Sequence, residues 1–403
     1  MVPNALSHER RELITRLAAE HGTPFYLLEW PPIRDQLAIL DAAFHDVPVR
    51  HFFSYKSCPV PAVAQSWRAS GRGVEVVSDF ELRAAVALGF APAEIVVNGV
   101  AKHTWQSLRA TSHLTVNFDS LHEVVELANV AVAKNWTVGL RLHPSVQTDP
   151  DDNRFPDQFG IGPDDVGAAL EVLQRAHLTP TVVHMHLRSN VSHARFCEGL
   201  NHIVELCIRT GLGPQVLDCG GGLPAPGILP YGGDIDQPLT PTALAGELHT
   251  ALMKLSTVRE VWLENGRFLL AAAGSLVIRA LDIKTHHGIR FILCDGGRTN
   301  HALVSDWESH RISVINERSD RACLTAVCGP TCMAYDRLFR GPLAHDTMPG
   351  DLLVWHDAGA YHLPWETRFS HGLAPVLYID EFGQPRQVRN RESFDDWSSI
   401  WKG

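Results

Sequence analysis

The 403-residue sequence lacks the features of several protein classes. Its longest apolar run, residues 268–278, is too short to cross a bilayer and contains Gly274 and Ser275. None of the eight cysteines forms a Cys-x-x-Cys pair, which argues against a disulfide framework or a zinc ribbon. The formal net charge is -10 and no basic patch stands out, so we expect no nucleic-acid partner. The first residues form no apolar signal core, and we expect a cytoplasmic protein without membrane contact.

The composition is typical of a globular enzyme, with 45% hydrophobic and 20% charged residues. A chain of this length is longer than a domain with one hydrophobic core usually is, so we predict two domains. Residues 29–268 alternate between apolar strands and helical patterns, whereas residues 269–403 contain strands and turns without helical periodicity. We predict that residues 1–28, which contain one short strand, join this C-terminal β domain.

Eight apolar strands separated by helical patterns predict an α/β fold of the (β/α)8 barrel type. An open doubly wound sheet is the alternative, although its strands less often repeat so evenly. Active sites of such barrels lie at the C-terminal ends of the strands, where we therefore expect the chemistry. The predicted strands are residues 49–55, 73–77, 95–98, 114–118, 137–142, 181–187, 215–218 and 259–263.

Lys56 follows the β-forming residues Phe52, Phe53 and Tyr55 at the end of the first of these strands. An ammonium group at the end of an apolar strand must be paired, solvated or deprotonated. If the amine is partly neutral, it is a nucleophile for carbonyl groups, as in enzymes that use pyridoxal 5'-phosphate (PLP). The alternative is an ordinary lysine that extends from a strand end into water.

Polar residues also lie at the ends of the other predicted strands. Three consecutive glycines let peptide N–H groups approach an anion closely, although a plain tight turn is the alternative. Glu264 can hold a pyridine nitrogen protonated and Arg267 can bind a phosphate, although an ion pair between the two is the alternative. The residues at these strand ends are Ser78, Asn98, His186, Ser189, Gly220, Gly221, Gly222, Glu264 and Arg267.

Two further motifs leave alternatives open. His184 and His186 lie on one face of a predicted strand, which is compatible with a metal site as in barrel amidohydrolases. A metal needs a further ligand, and no acidic cluster is evident to supply it, so we expect no metal and favour His186 as a flat ring stacked on a cofactor. Cys332, after Gly-Pro-Thr, is a candidate thiol for proton transfer, although buried cysteines are usually inert.

Taken together, these motifs resemble the alanine-racemase-fold PLP decarboxylases, which include diaminopimelate, ornithine and arginine decarboxylases. The resemblance extends over about residues 20–385. It implies that Lys56 forms the Schiff base with PLP, that His186 stacks on the ring and that Glu264 pairs with the pyridine nitrogen. It also implies a head-to-tail homodimer in which Cys332 reaches the partner's site. The motifs are Tyr55-Lys56, Val77-Ser78 with Glu81-Leu82, His186-Leu-Arg-Ser189, Asp218-Cys-Gly-Gly-Gly222, Glu264-Asn-Gly-Arg267, Gly329-Pro-Thr-Cys332 and Asp357-Ala-Gly-Ala-Tyr361.

In this family the phosphate would be held by Ser189, Gly220, Gly221, Gly222, Arg267 and Tyr361, with Ser78 also near the cofactor. The departures concern the substrate. Relatives that act on diaminopimelate, ornithine or lysine have an acidic residue after the motif cysteine, where this chain has Met333. Arg188 replaces a glycine, Asn265 replaces a proline, and Arg298 adds a cation where the family approaches its substrate.

Because a distal ammonium would have no partner at Met333, we expect a substrate whose far end is uncharged or anionic. This profile is similar to decarboxylases of carboxylate siderophore biosynthesis, which act on citrate-linked 2,3-diaminopropionate. The alternatives are a decarboxylase of basic amino acids, an amino acid racemase, a metal-dependent amidohydrolase, and a non-catalytic regulator of the antizyme-inhibitor type. Racemases of this fold usually place arginine at the pyridine nitrogen, so Glu264 favours decarboxylation, and the presence of Lys56 argues against a regulator.

Overall fold

The computed structural model describes residues 6–146, 157–230, 237–300, 308–316 and 321–402. Eight parallel strands form a closed barrel in the order β10-β2-β3-β4-β5-β6-β7-β8. All eight predicted strands are therefore confirmed, and the closed barrel excludes the open doubly wound sheet. The barrel strands are β2 (Val49–Ser54), β3 (Gly73–Val76), β4 (Ile95–Val97), β5 (Thr115–Phe118), β6 (Thr137–Arg141), β7 (Val182–His184), β8 (Val216–Asp218) and β10 (Glu260–Asn265).

The barrel strands form because both of their faces are buried. On β2, for example, Phe52 lies near Trp262 and Phe53 near Trp67, so adjacent side chains pack on opposite faces. Continuous burial of this kind is typical of parallel strands covered by helices. Among the described residues, the α-helices are α1 (His8–His21), α2 (Trp30–Ala43), α3 (Pro61–Ala69), α4 (Asp79–Ala87), α5 (Gln106–Ala110), α6 (Leu121–Lys134), α7 (Val166–Arg175), α8 (His193–Thr210), α9 (Pro241–Lys254), α10 (Arg267–Leu270) and α11 (Phe394–Ser399).

The second layer of the molecule is a mixed sheet in the order β16-β15-β12-β11-β1-β18-β19, with β17 paired to β11 and β14. β1 pairs antiparallel with β11 and parallel with β18, so the N-terminal strand lies inside this sheet. The exact boundaries at residues 28 and 268 stay predictions. The remaining strands are β1 (Phe25–Glu29), β9 (Leu229–Pro230), β11 (Gly274–His286), β12 (Ile289–Cys294), β13 (Glu308–Ser309), β14 (Ile312–Val314), β15 (Ala322–Cys328), β16 (Arg337–Ala344), β17 (Leu352–Trp355), β18 (Val376–Ile379) and β19 (Pro385–Arg389).

A barrel with a separate sheet domain confirms the predicted fold class. In the described part of the chain, every helix is too short or too polar to cross a membrane.

Candidate active site

Lys56 lies in a short turn directly after β2, and its amine is paired. Its Nζ lies 2.9 and 2.8 Å from the two carboxylate oxygens of Glu75, a buried residue of β3. Burial alone would lower the pKa of Lys56, but the carboxylates of Glu75 and Glu264 outweigh it and raise the pKa above its ordinary value. The Lys56 amine is therefore paired, which is one of the three possibilities that the sequence left open, and the two negative charges favour its protonated form.

The side chain of Asn98, at the end of β4, connects the two carboxylates. Its Nδ2 donates to Oε1 of Glu264, on β10, and lies 3.3 Å from Oε1 of Glu75. The Asn98 amide is oriented by Asn117, whose Nδ2 donates to its Oδ1 at 2.9 Å. Two carboxylates on separate barrel strands are thus held by one amide beneath Lys56.

Glu264 belongs to a buried group of titratable side chains. Ligand atoms of His184, Asp218 and Glu264 all lie within 4.8 Å of one another, and His184 Nε2 is 3.5 Å from Glu264 Oε1. Burial would raise the pKa of Glu264, but His184 and Lys56 hold it well below its usual range. Burial and the neighbouring Glu264 raise the pKa of Asp218 well above its usual value. The surroundings therefore favour the ionised form of Glu264 and the protonated form of Asp218.

The sequence shows no acidic cluster placed to supply a further ligand, but in the structure Asp218 and Glu264 lie beside His184. The sequence separates His184, Asp218 and Glu264 by tens of residues, and only the closure of the barrel brings their strand ends together. His186 does not join them. It lies beyond the end of β7, at the mouth of the barrel, so the two imidazoles do not converge on one metal position.

His186 packs against the glycine triplet. Its Nδ1 accepts a hydrogen bond from the Gly221 N–H at 3.1 Å. Burial, with the charges of Lys56 and Arg141, lowers the pKa of His186 to about 3, so the ring is neutral. A Cβ on Gly220, whose φ is +60°, would lie 2.5 Å from His186 Nδ1, and one on Gly221 would lie 2.4 Å from the Glu264 carbonyl oxygen. Glycine is therefore required for the close approach of this loop to the end of β10.

Arg267, directly after β10, lies on the other side of this glycine loop. Its guanidinium carbon lies 4.7 Å from the ring centroid of Tyr361. The guanidinium group also forms an ion pair with Glu308. Among the described residues, its buried Nε has no hydrogen-bond partner. Such a donor is costly to bury unless an acceptor reaches it. Tyr361 is fixed by its N–H, which donates to the Ser57 carbonyl at 2.7 Å, next to Lys56.

The two predicted serines lie in different surroundings. The hydroxyl of Ser78 accepts from the Glu81 N–H at 3.2 Å and caps α4, a structural role that the sequence analysis did not assign. Ser189 is half-buried in the loop between β7 and α8. Arg188 in this loop is exposed, and its carbonyl oxygen would lie 3.0 Å from a Cβ on Gly222, so the loop lies against the glycine triplet.

The remaining predicted residues lie in the β domain, on the turn between β15 and β16. We call residues 329–336 the cysteine turn. Cys332 is exposed and Met333 is 40% exposed. The buried Asp336 carboxylate holds the turn by accepting from the Thr331 hydroxyl at 2.6 Å and from the Arg298 N–H at 2.6 Å. Arg298 therefore lies beside the turn, and its proximity to the substrate stays a prediction. Within the described chain no contact joins Cys332 to Lys56.

Two residues of the site were missed by the sequence analysis. Glu75 was not assigned, although an acidic residue inside the apolar segment Gly73-Val-Glu-Val-Val77 is a usable signal, because an unpaired buried carboxylate is costly. Asn117 was missed as well, and it carries no comparable signal, since a single amide at a strand end is common.

Comparison with known proteins identifies the family. The profile described as "Pyridoxal-dependent decarboxylase, pyridoxal binding domain" matches residues 32–271, more than half of the chain. The chain therefore belongs to the pyridoxal-dependent decarboxylase family.

Similarity to individual relatives covers nearly the whole chain. A diaminopimelate decarboxylase of Actinosynnema pretiosum subsp. auranticum is 29% identical over 417 residues, covering 96% of this chain and 92% of the relative. One of Escherichia coli strain K12 is 29% identical, covering 96% and 95%. A crystal structure of a diaminopimelate decarboxylase is 26% identical with a TM-score of 0.82, covering 100% and 98%. The Helicobacter pylori enzyme complexed with L-lysine has a TM-score of 0.83 at 22% identity, covering 96% and 99%, and shows the common fold.

The protein is a PLP-dependent amino acid decarboxylase, a carboxy-lyase, and its cofactor is pyridoxal 5'-phosphate. The residues at the barrel mouth fit this cofactor. A lysine amine and an ionised buried carboxylate lie at neighbouring strand ends, and the glycine loop with the partnerless Arg267 Nε suits a phosphate. The family assignment excludes the amidohydrolase alternative and favours decarboxylation over racemisation.

Proposed function

We propose that the chain removes the α-carboxylate of a diamino acid of the diaminopimelate type. The observation that carries the chemistry is the connected set Lys56, Glu75, Asn98 and Glu264, which lies at the barrel mouth beside the glycine loop. An amine that attaches a carbonyl cofactor and a carboxylate that stabilises a cationic ring are the two groups that this reaction needs.

Each residue of the set has a distinct task in this proposal. Bound PLP supplies the electron sink for the carbon–carboxylate bond that breaks. Lys56 would attach the cofactor, and the buried, ionised Glu264 would hold the pyridine nitrogen protonated. Because Glu264 is held by Asn98 and His184, its charge needs no reorganisation during the reaction.

The other end of the cofactor requires an anion site. The neutral ring of His186 would cover one face of the pyridine, where a charged imidazolium would oppose the cationic ring. Gly220, Gly221, Gly222, Ser189, Arg267 and Tyr361 would hold the phosphate. Binding of an acceptor at Arg267 Nε would satisfy a donor that has no partner among the described residues.

The relatives support this substrate class, because they are diaminopimelate decarboxylases and the similarity to this chain extends over almost their full length. Met333 supports a second candidate, an amino acid with an uncharged or anionic far end such as citrate-linked diaminopropionate in siderophore biosynthesis. The Met333 side chain cannot bind an ammonium, and Arg298 lies beside the same turn. The relatives favour the first candidate over the second.

A homodimer forms part of the proposal. Cys332 lies on an exposed turn without contact to Lys56 among the described residues of its own chain, which supports a role in the site of a second copy. In that position its thiol would return a proton to the substrate carbon after loss of carbon dioxide.

A substrate panel tests the proposed function. We expect carbon dioxide release from meso-diaminopimelate with a kcat/KM at least about tenfold above those of ornithine and citryl-diaminopropionate. Lys56→Ala should release none, and sodium borohydride should trap PLP on the Lys56 peptide of the wild type only. Met333→Glu should lower KM for diaminopimelate by about two- to fivefold, as an accessible ion pair allows. Preference for citryl-diaminopropionate would instead establish the second candidate.

A further inference from the structure

A second cluster of ligand-type side chains lies on the outside of the barrel, away from Lys56. His193 and Cys197 are one helical turn apart on α8, so their side chains project from the same face. Glu247, on the adjacent helix α9, lies opposite them. One ligand atom from each residue falls within 4.8 Å of the others, and His193 Nε2 is 3.0 Å from Glu247 Oε1.

We propose that His193, Cys197 and Glu247 form a binding site for a divalent transition metal of the zinc class. An imidazole, a thiolate and a carboxylate are the three ligand types that Zn²⁺ combines in proteins, and it completes its tetrahedron with water when only three are offered. Ligand atoms bonded at about 2.0–2.3 Å to a tetrahedral ion lie about 3.3–3.8 Å apart. The three ligand atoms already lie within 4.8 Å of one another, and an ion would replace the 3.0 Å hydrogen bond between His193 and Glu247. Calcium and magnesium, which take oxygen ligands, do not suit a thiol and an imidazole.

The burial of the cluster suits an exchangeable ion. The side chains of His193 and Glu247 are 34% and 32% exposed, and Cys197 is half-buried. An ion can therefore reach all three from solvent and keep a water ligand. The cluster His184, Asp218 and Glu264 is fully buried and belongs to the cofactor site.

A metal ion at this position would connect two helices next to the loop that carries Ser189. His193 is the first residue of α8, and its N–H donates to the Gln237 carbonyl at 3.0 Å. The preceding loop carries Ser189 and lies against the glycine triplet through Arg188. An ion shared by α8 and α9 would therefore fasten the helix that follows this loop to its neighbour.

Metal titration of the purified holoenzyme in phosphate-free buffer tests the proposal. After treatment with a chelator and a reductant, Co²⁺ should bind once per chain and give the intense visible bands of a tetrahedral ion with a thiolate ligand. These bands are followed because they lie at longer wavelengths than the absorption of PLP bound to a lysine. Zn²⁺ should displace Co²⁺ and bleach the bands. Absence of saturable binding would overturn the site.

Variants locate the ion. Cys197→Ala and His193→Gln should each weaken Zn²⁺ binding by at least about tenfold, since even changes beyond the direct ligands cost this much. Cys323→Ala is the matched control, because it removes a half-buried thiol outside the cluster and should bind as the wild type does. If both cluster variants fold, as judged by circular dichroism, and bind zinc like this control, the assignment is wrong and the three residues are a hydrogen-bonded cluster only.

Discussion

The floor of the active site and the cysteine turn differ in how their polar groups find partners. The floor consists of the buried residues at the barrel mouth beneath Lys56, which are connected to one another by hydrogen bonds and ion pairs. They are Glu75, Asn98, His184, Asp218 and Glu264. The cysteine turn is held from beneath by the Asp336 carboxylate but leaves Cys332, Met333 and Tyr335 exposed. The floor is therefore complete within one chain, whereas the turn presents its chemical groups outward. Burial fixes the groups that establish charge, whereas the groups that we propose to contact the substrate lie at a surface.

The largest expected effect lies in the floor. Glu264→Gln removes the ionised carboxylate and should lower kcat by about 10³-fold, since it deletes a preorganised charge in a buried site. Carbon dioxide release at saturating PLP measures this loss. Glu260→Gln is the control, because it alters a carboxylate at the opposite end of the same strand, where Glu260 accepts a hydrogen bond from Trp262, and should leave kcat unchanged. A Glu264→Gln enzyme as active as this control would remove Glu264 from the chemistry.

An intermediate effect is expected in the turn. Cys332→Ala should lower kcat by about 10²-fold if its thiol delivers a proton. If sites are shared between two chains, mixing the Cys332→Ala chain with the inactive Lys56→Ala chain should restore up to about a quarter of wild-type activity. The reason is that about half of the dimers contain one chain of each kind, and each of these has one intact site out of two.

A second mixture controls this experiment. Lys56→Ala mixed with Glu264→Gln should restore nothing, since both residues belong to one barrel and no mixed dimer has an intact site. Equal recovery in the two mixtures, or none in either, would contradict a shared site.

Glu75→Gln should have the smallest effect on the rate. It should, however, change the pH dependence of the Lys56 amine. The Glu75 carboxylate raises the pKa of Lys56, so its loss should move this pKa downward. In the cofactor-free protein, acylation of the Lys56 peptide should then begin at lower pH than in the wild type, as followed by mass spectrometry. The exposed Lys284 gives an internal reference in the same samples. An unchanged profile would mean that Glu75 does not control the charge of Lys56.

The sign of the stability effect follows from the same pair. A lysine whose pKa is raised by folding stabilises the folded state fully below its unfolded pKa, and this contribution disappears as the pH rises through the folded value. The cofactor-free wild type should therefore lose more stability than Glu75→Gln in strongly alkaline solution. Denaturant titrations at neutral and alkaline pH compare the two.

The sequence by itself determined the alternation of strands and helices. Barrel strands are buried on both faces, so each one is a short, continuous apolar segment that is visible in the sequence. It also placed Lys56, the glycine triplet, Glu264 and Arg267 at strand ends, which is where such barrels carry their chemistry. The signal was local in each case: a polar residue or a run of glycines directly after an apolar strand.

Only the tertiary structure decided which of these groups are charged and which touch. The pairing of Lys56 with Glu75, the connection through Asn98 and the proximity of Asp218 to Glu264 join residues from separate strands. The charge of each group depends on the distance and burial of its neighbours, and these are fixed only when the barrel closes. For the same reason the cluster of His193, Cys197 and Glu247 is visible only once α8 and α9 lie side by side.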